Sequence, residues 1–312
     1  MDKKNLVAMA AAAAVLCAAA YLLSSGSRPS AAKLNGKTIL PALDMSAVSR
    51  IEIGGRLALA AGDGGWVVET LHGYPADRAK IAENLLKLAE LKVGQVARGR
   101  DLGETTEVVL KDAAGKELAK LPLGDRHRGR YVGFEGQTVL VSDTLDAFDG
   151  DPKRWCDARI ANFPASDVTA VAFSNGDGKF ELEKGTNGVW EAKGGLAENE
   201  ELDSSKTYSL DSALSYLDFA SVADPALTEA ELGFSTGFVY TATMKDGTNS
   251  VVHVATVGNE AKEGGGRYFR LDDGKWVFVI PQYAAEKMMR RRSDLVKEKE
   301  KPKDEDSGKA GA

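Results

Sequence analysis

Side chains that commonly carry out chemistry are sparse and widely spaced in this sequence. Its histidines are His72, His127 and His253, and its cysteines are Cys17 and Cys156. Zinc sites use histidine pairs four residues apart on a helix or Cys-x-x-Cys pairs, and neither spacing occurs here. Two cysteines, one of them inside an apolar N-terminal stretch, also cannot form a disulfide framework. We therefore expect no metal site and no bound cofactor, and we expect Cys156 to be buried as a small apolar residue.

Three short motifs that could bind an acyl substrate, a phosphate or calcium are absent or incomplete. The nucleophile motif Gly-x-Ser-x-Gly does not occur. Gly264-Gly-Gly266 lacks the Lys-Ser/Thr of a phosphate-binding loop and leads into a predicted strand. Asn175-Gly-Asp-Gly-Lys179 resembles a calcium loop, but Lys179 is a cation where a carboxylate is required. The sequence therefore predicts that Gly264-Gly-Gly266 leads into a hairpin and that Asn175-Gly-Asp-Gly-Lys179 is a turn. It predicts no catalytic residue and a protein that is not an enzyme.

Arginine and aromatic residues at matching places in the two halves of the chain are the remaining candidates for a site. They are Arg130, Tyr131 and Trp155 in the first half, and Arg267 and Tyr268 in the second. Because ligands often bind at the junction of two domains, these residues predict a groove between the halves. The alternative is that the aromatic rings pack the sheets while the arginines face solvent.

The composition limits the classes of protein to consider. The chain has 312 residues, of which 43% are hydrophobic and 28% charged, which predicts two modest globular domains. Glycine is abundant at 33 residues and proline is scarce at 9, which favours glycine-bearing hairpin turns and therefore β structure. A net charge of −6 without a long basic run argues against a nucleic-acid partner.

The N-terminus carries a predicted membrane segment. Leu6 to Leu23 contains no charged residue and follows Lys3 and Lys4. A helix of this length is about 27 Å long, close to the hydrocarbon thickness of a bilayer. We expect residues 1–30 to form a single-pass anchor and polar spacer in the inner membrane, with the N-terminus inside and the bulk of the chain extracytoplasmic. A cleaved signal peptide is the alternative.

The remaining chain repeats one order of signals in two segments, 38–160 and 161–295. Each segment opens with a short alternating strand, continues through a glycine-rich turn to a tryptophan-bearing strand, and then carries one helical pattern. Two hairpins close each segment. This order predicts an α+β fold of two tandem similar repeats, each a mainly antiparallel sheet with one amphipathic helix packed on it.

The predicted helices rest on apolar residues at helical spacing. In the first repeat Pro75 stands at the expected first helical position, and in the second Ser209 is the expected N-cap. The apolar stripes are Ile81, Leu85 and Leu88 in the first helix, and Leu210, Ala213, Leu214 and Leu217 in the second.

The predicted hairpins rest on turn residues between alternating runs. The first repeat pairs Glu107 to Lys111 with Glu117 to Leu123, and Arg130 to Phe134 with Thr138 to Val141; the second pairs Phe238 to Met244 with Val251 to Val257, and Arg267 to Leu271 with Trp276 to Ile280. Gly129-Arg-Tyr131 and Gly266-Arg-Tyr268 open the third strand of each set. Residues 296–312, which are rich in charge, are predicted to be a disordered tail.

These patterns resemble a known bacterial family, the domain-of-unknown-function family numbered 4340. The matching signals are the N-terminal membrane segment, Leu40-Pro-x-Leu-Asp44, Val48 to Ile53, the Trp66 strand, Tyr74-Pro-Ala-Asp77, Gly129-Arg-Tyr131 and Asp151-Pro-x-x-Trp155. A Gly-Leu pair that the family often shows before the next strand is only approximated, at Asp101-Leu-Gly103 and at Glu231-Leu-Gly-Phe234. Because members are often encoded beside ABC-type transporter genes, including those of the gliding-motility type, the resemblance implies an extracytoplasmic accessory role.

The sequence thus supports a leading hypothesis and two alternatives. The leading one is a non-enzymatic, membrane-anchored extracytoplasmic accessory or binding protein of an ABC-type transport or cell-envelope system. One alternative is an envelope hydrolase or glycan-active enzyme whose carboxylates meet in the groove between the repeats. The other is a structural scaffold that binds proteins through its sheet edges.

Overall fold

Two large antiparallel sheets with a few short helices make up the computed structural model, which describes residues 31–262 and 265–299. The chain divides into two units after Cys156, close to the boundary at 160 that the sequence predicts. The predicted α+β class, with mainly antiparallel sheets, is confirmed.

The first unit contains a sheet of nine strands, all paired antiparallel. Its strands are β1 (Arg50–Ile53), β2 (Leu57–Gly62), β3 (Gly65–Val68), β4 (Tyr74–Pro75), β5 (Gln95–Val96), β6 (Thr106–Lys111), β7 (Glu117–Arg126), β8 (Arg130–Phe134) and β9 (Gln137–Val141). Their order across the sheet is β4-β3-β2-β1-β6-β7-β8-β9-β5. The short strand β5 therefore closes one edge by pairing with β9, although three strands separate the two along the chain.

The inner face of this sheet forms the core of the unit because apolar residues alternate along each strand. In β1 the buried positions are Ile51 and Ile53, and the paired residues Leu59 and Leu57 of β2 are equally buried. At the other end of the sheet, Val132 of β8 is buried beside its β9 partner.

The described part of this unit contains two α-helices: α1 (Ala31–Leu34) and α2 (Arg78–Ala89). Asp77 begins α2, because its carboxylate accepts the backbone N–H of Ala79 at 2.8 Å and of Lys80 at 3.3 Å. The predicted start at Pro75 is therefore wrong; Pro75 lies in β4 and pairs with Val67. The predicted stripe is confirmed as the buried face of α2, with Ile81, Leu85 and Leu88.

The second unit contains an eight-stranded antiparallel sheet and two small two-stranded sheets. Its strands are β10 (Arg159–Ala161), β11 (Val168–Asn175), β12 (Gly178–Lys184), β13 (Trp190–Ala192), β14 (Glu200–Leu202), β15 (Leu217–Asp218), β16 (Ser221–Val222), β17 (Phe238–Asp246), β18 (Asn249–Glu260), β19 (Gly266–Leu271), β20 (Phe278–Pro281) and β21 (Val296–Glu298). The large sheet has the order β13-β12-β11-β17-β18-β19-β20-β16. The helices are α3 (Ser204–Thr207), α4 (Glu229–Leu232), α5 (Gln282–Met288) and α6 (Arg292–Leu295).

The amphipathic helix predicted after Ser209 is wrong. The segment forms only a 3-10 turn at Leu210–Ser212, and its last predicted helical residue, Leu217, lies in β15, which pairs with β10. The Ser209 side chain caps nothing, and the Ser212 hydroxyl instead donates to the Ser209 carbonyl at 2.8 Å. Serines that bond locally to the backbone compete with helix formation. All four apolar residues of the predicted stripe are nevertheless buried.

The predicted hairpins are confirmed in both units. Glu135-Gly136 forms a two-residue turn in which both residues have positive φ, at +47° and +73°. In the second unit β17 extends through Asp246, so the turn lies at Gly247 and Thr248, later than the expected Lys245-Asp-Gly247.

The two ends of the chain differ in how far they are described. The predicted tail 296–312 begins with an ordered strand, because Val296–Glu298 pairs with Glu200–Leu202 as β21 and β14. The predicted anchor Leu6 to Leu23 lies outside the described residues. Among the described residues no helix is both long and apolar enough to cross a membrane.

Candidate functional site

A cleft of about 800 Å³ lies on the first unit beside the edge formed by β5. Its lining is mostly polar or cationic and comes from four separate parts of the chain. The lining residues are Asn35, Gln95, Val96, Ala97, Arg98, Arg100, His127, Tyr131 and Leu140.

The floor of the cleft is a row of side chains across three neighbouring strands. Tyr131 of β8 is paired with Leu140 of β9, which is paired with Gln95 of β5. Residues directly opposite each other in a sheet point to the same face. Their chain neighbours Val132 and Val139 point to the other face and are fully buried in the core. The same alternation that builds the core therefore presents this row outward.

The segment 97–103 crosses the outer face of the sheet and brings two arginines over this floor. It starts where the backbone N–H of Ala97 donates to Thr138 at 2.9 Å, and it passes directly over Gly124 of β7. A Cβ at position 124 would lie 2.5 Å from the carbonyl oxygen of Leu102, so only glycine permits this close approach. The crossing places Arg98 and Arg100 at the cleft.

Arg100 lies over the aromatic floor. Its guanidinium carbon is 4.1 Å from the centre of the Tyr131 ring, a cation–π distance, and Nη2 is 3.3 Å from Oδ2 of Asp125. Tyr131 is only 8% exposed. The ring therefore supports Arg100, and the guanidinium, not the ring face, is presented to the cleft.

His127 is held at the rim by the turn between β7 and β8. Its backbone N–H donates to the carbonyl of Gly129 at 2.9 Å, and its ring is nearly parallel to that of Tyr131, 6.4 Å away. The imidazole is exposed and adds a ring nitrogen to the groups that line the cleft. This nitrogen can donate or accept a hydrogen bond.

The charge of the cleft is positive. Among the described residues, those that line the cleft include no aspartate or glutamate. Asp125 offsets Arg100, but Arg98 is exposed and has no ion-pair or hydrogen-bond partner in the described part of the chain. The arrangement is suited to binding an anion and holds no nucleophile paired with a base.

Arg130, predicted to line a groove, is a buried residue of the first unit. It is 5% exposed; Nε donates to the carbonyl of Gly124 at 2.8 Å and Nη1 to Oδ1 of Asp149 at 2.5 Å. Asp149 also pairs with Arg126. Burial, together with the charge of Arg126, lowers the pKa of Arg130 from its ordinary value. The idea that the arginines face solvent is wrong for Arg130, which instead fixes the end of β7 beneath the crossing segment.

The other predicted groove residues also lie within their own units. Trp155 is fully buried, packs edge-on against Phe148 with ring centres 5.2 Å apart, and donates its indole N–H to Ala147 at 3.0 Å. Arg267 donates to the carbonyl of Gly258 at 2.8 Å, and Tyr268 is buried in a small apolar cluster. Of the five candidates, only Tyr131 lines the cleft, and a groove shared by the two halves stays a prediction.

Sequence reasoning did not select Arg98, Arg100 and His127 as a group. A usable signal is present, because the tripeptide Arg-Gly-Arg occurs both at 98–100 and at 128–130, and His127 immediately precedes the second copy. Neither copy is long enough to count as a basic run.

A second, smaller groove of about 360 Å³ lies between α2 and the segment 143–154. Its lining mixes carboxylates with cations and includes Glu83, Lys87, Asp143 and Asp146. Lys87 bonds to Glu83 at 2.7 Å, and this bond, with the charges of Asp143 and Asp146, raises the pKa of Lys87. Within residues 31–262 and 265–299, no group of three or more His, Cys, Asp or Glu side chains is placed to hold a metal ion.

Comparison with protein-family models gives a match. The model of a family described as a domain of unknown function, DUF4340, matches residues 66–236, which is more than half of the chain. No curated protein and no solved structure matches the chain.

Proposed function

The chain belongs to the DUF4340 family, and from this premise we propose that it is a membrane-anchored, extracytoplasmic binding protein that serves an ABC-type transport or cell-envelope system without catalysing a reaction. The transport partner is what the family resemblance implies. The anchor rests on the apolar segment Leu6 to Leu23. The binding role rests on the cleft of the first unit.

The cleft is the observation that carries the proposal. A small-molecule site needs a concave surface with a few convergent polar groups, and Arg98, Arg100, His127 and Gln95 supply these around an open volume of about 800 Å³. Acid/base hydrolysis of a glycan would instead need two carboxyl groups facing the bound ligand. The described lining of this cleft includes several donors and cations and no carboxylate, which favours binding over hydrolysis.

We further propose that the two units are tandem repeats of one α+β design. The order β3-β2-β1-β6-β7-β8-β9-β5 in the first sheet corresponds strand for strand to the order of the second, and the first sheet only adds β4 at one edge. In each unit, a short strand that precedes the hairpins in the chain forms one edge of the sheet. This strand is β5, which pairs with β9, in the first unit and β16, which pairs with β20, in the second.

Two local contacts support the same proposal. A Cβ at Gly124 would meet the carbonyl of Leu102 at 2.5 Å, and a Cβ at Gly258 would meet that of Leu232 at 2.0 Å. Arg130 donates to the carbonyl of Gly124, and Arg267 donates to that of Gly258. In both units a Leu-Gly segment crosses a glycine whose carbonyl is held by an arginine of the next strand.

The smaller groove keeps a hydrolase as a second candidate. Glu83, Asp143 and Asp146 bring three carboxylates to one concave surface, which is the residue type that glycan hydrolysis uses. Glu83 is ion-paired with Lys87, which favours a structural role for that carboxylate. Hydrolysis of a cell-envelope glycan that is lost in Asp143→Asn but kept in Arg98→Gln would replace the binding proposal with this one.

Co-purification tests the proposed role. The full chain with a C-terminal tag, expressed at its native level and extracted in mild detergent, should enrich the membrane and ATP-binding subunits of an ABC-type transporter, measured by mass spectrometry. The control is a chain that carries residues 1–30 fused to an unrelated soluble domain. Equal recovery of these subunits with both baits would contradict the proposal.

A further inference from the structure

The arginines of the cleft are not required by the fold. The crossing segment of the second unit, Thr228 to Leu232, packs on Gly258 as segment 97–103 packs on Gly124, yet it carries Glu229 and Glu231 and no arginine. The same close approach of backbone to sheet therefore forms with acidic residues. A purely structural explanation for Arg98 and Arg100 is weakened, because the chain itself contains the equivalent contact without them.

The origin of the donors bears on the shape of the ligand. They come from different elements: Arg98 and Arg100 from the crossing segment, His127 from the β7–β8 turn, and the amides of Gln95 and Asn35 from β5 and the segment after α1. A planar carboxylate is satisfied by one guanidinium in a bidentate pair. A tetrahedral phosphoryl group offers three acceptor oxygens pointing in different directions, which suits a cleft whose donors come from several elements.

We propose that this cleft binds the phosphate-monoester group of a small organic ligand or of a lipid headgroup. The inference rests on the proposed function, since it names the ligand class of that same cleft. Arg98 supplies an uncompensated charge with all of its donors available among the described residues. Arg100 is held in place by Tyr131 and Asp125, so its remaining donors need little ordering when the ligand binds.

Two probes distinguish the two sources of the phosphate. The full chain in neutral detergent micelles is titrated with glycerol 1-phosphate by calorimetry. In parallel, its thermal unfolding is followed in mixed micelles that contain phosphatidic acid or only phosphatidylcholine. If the natural ligand is a soluble phosphate ester, we expect saturable binding of glycerol 1-phosphate. If it is a lipid headgroup, we expect the unfolding temperature to rise with phosphatidic acid and not with phosphatidylcholine alone. D-glycerate, a carboxylate of similar size, should bind at least tenfold more weakly than glycerol 1-phosphate.

The decisive variant is Arg98→Gln, matched by Arg78→Gln. Both positions are exposed arginines of the first unit without a described partner, and only Arg98 lines the cleft. Arg98→Gln should weaken phosphate binding about tenfold, as expected for the loss of a charge-assisted hydrogen bond, while Arg78→Gln should change it less than twofold. Both variants should unfold at the wild-type temperature.

Equal binding by the two variants, equal binding of D-glycerate, or no binding of either phosphate probe at millimolar concentration would overturn the phosphate assignment. The co-purification experiment tests the proposed function independently of this ligand. Transporter subunits that still co-purify while phosphate fails to bind would leave the proposed function standing and remove only this ligand.

Discussion

At the scale of single residues, arginines of the two Arg-Gly-Arg tripeptides take opposite roles. Arg130 is buried and donates to Gly124 and Asp149, whereas Arg98 is exposed at the cleft with no described partner. Burial of a guanidinium requires hydrogen bonds and a counter-charge, and β7 together with Asp149 provides both for Arg130. Residue type alone therefore does not separate the structural arginines from those available to a ligand.

Glu52 is the centre of an ion-pair network on the outer face of the first sheet. It accepts hydrogen bonds from Lys111 at 2.8 Å and from Arg50 at 2.7 Å, and these two bonds lower its pKa from the ordinary value. A carboxyl group whose pKa is lower in the folded state stabilises the fold above its unfolded pKa of about 4.3. This stabilisation is lost as the pH falls below that value and through the lowered pKa of the folded state.

We expect Glu52→Gln to lower the free energy of unfolding by about 0.5 to 1 kcal/mol at pH 7, because the pairs are partly exposed. The difference from wild type should shrink as the pH falls through the lowered pKa of the folded carboxyl group and vanish once Glu52 is protonated in the folded state as well. Urea unfolding at pH 7 and over a series of acidic pH values measures this. Glu104→Gln, at an exposed position without a described partner, is the control and should have little effect. A difference that persists at the lowest of these pH values would show that the network does not act through the charge of Glu52.

At the scale of elements, the cleft depends on how the β7–β8 hairpin closes. Gly129 lies at φ +148° and its α-carbon faces β9, so that a Cβ there would lie 1.9 Å from the carbonyl oxygen of Val141. The turn that presents His127 therefore requires glycine at this position for steric reasons. Its neighbour Arg130 anchors the same hairpin to Gly124.

Gly129→Ala should lower the free energy of unfolding by about 1 to 3 kcal/mol more than Gly136→Ala. Both glycines have positive φ, but a Cβ at position 136 would meet nothing within 4 Å, so that variant reports only the backbone cost of about 1 kcal/mol. Thermal or urea unfolding of the two variants gives the comparison. Equal destabilisation would mean that the contact with Val141 relaxes without cost.

At the scale of the whole molecule, each unit has a sheet with its own buried face. In the first unit, residues such as Leu59 and Val132 fill it, and in the second, Tyr240 and Phe269 do so. The hydroxyl of Tyr240 donates to the carbonyl of Leu210 at 2.8 Å, and burial raises the pKa of this tyrosine. Each half therefore builds a core from its own residues, as expected for two domains in one chain.

The proposed location is tested on the complete chain. Alkaline phosphatase, which is active only outside the cytoplasm, should be active when fused after residue 312 of the full chain. The same fusion without residues 1–30 should be inactive, because the apolar segment Leu6 to Leu23 would be missing. An inactive full-length fusion at normal expression would contradict the predicted orientation.

The strands of the hairpins, most of the hairpin turns and the apolar stripe of α2 follow from the sequence alone. These features depend on contacts between neighbours in the chain: alternation places Ile51 and Ile53 on one face, and Glu135-Gly136 supplies the positive φ of a tight turn. Such local rules failed after Ser209, where hydrogen bonding by the serines and the pairing of β15 with β10 outweighed a helical pattern.

The cleft, by contrast, forms only through tertiary contacts. Gln95, His127 and Tyr131 meet because β5 returns to pair with β9 and because segment 97–103 crosses the sheet at Gly124. In the same way, the pairing of β21 with β14 ordered the start of a charged tail. Pairings between segments far apart in the chain leave little local signal, since any exposed edge strand offers the same backbone donors and acceptors. Their choice depends on the packing of the complete unit, so of the residues that line the cleft the sequence singled out Tyr131 as a candidate but did not predict the group.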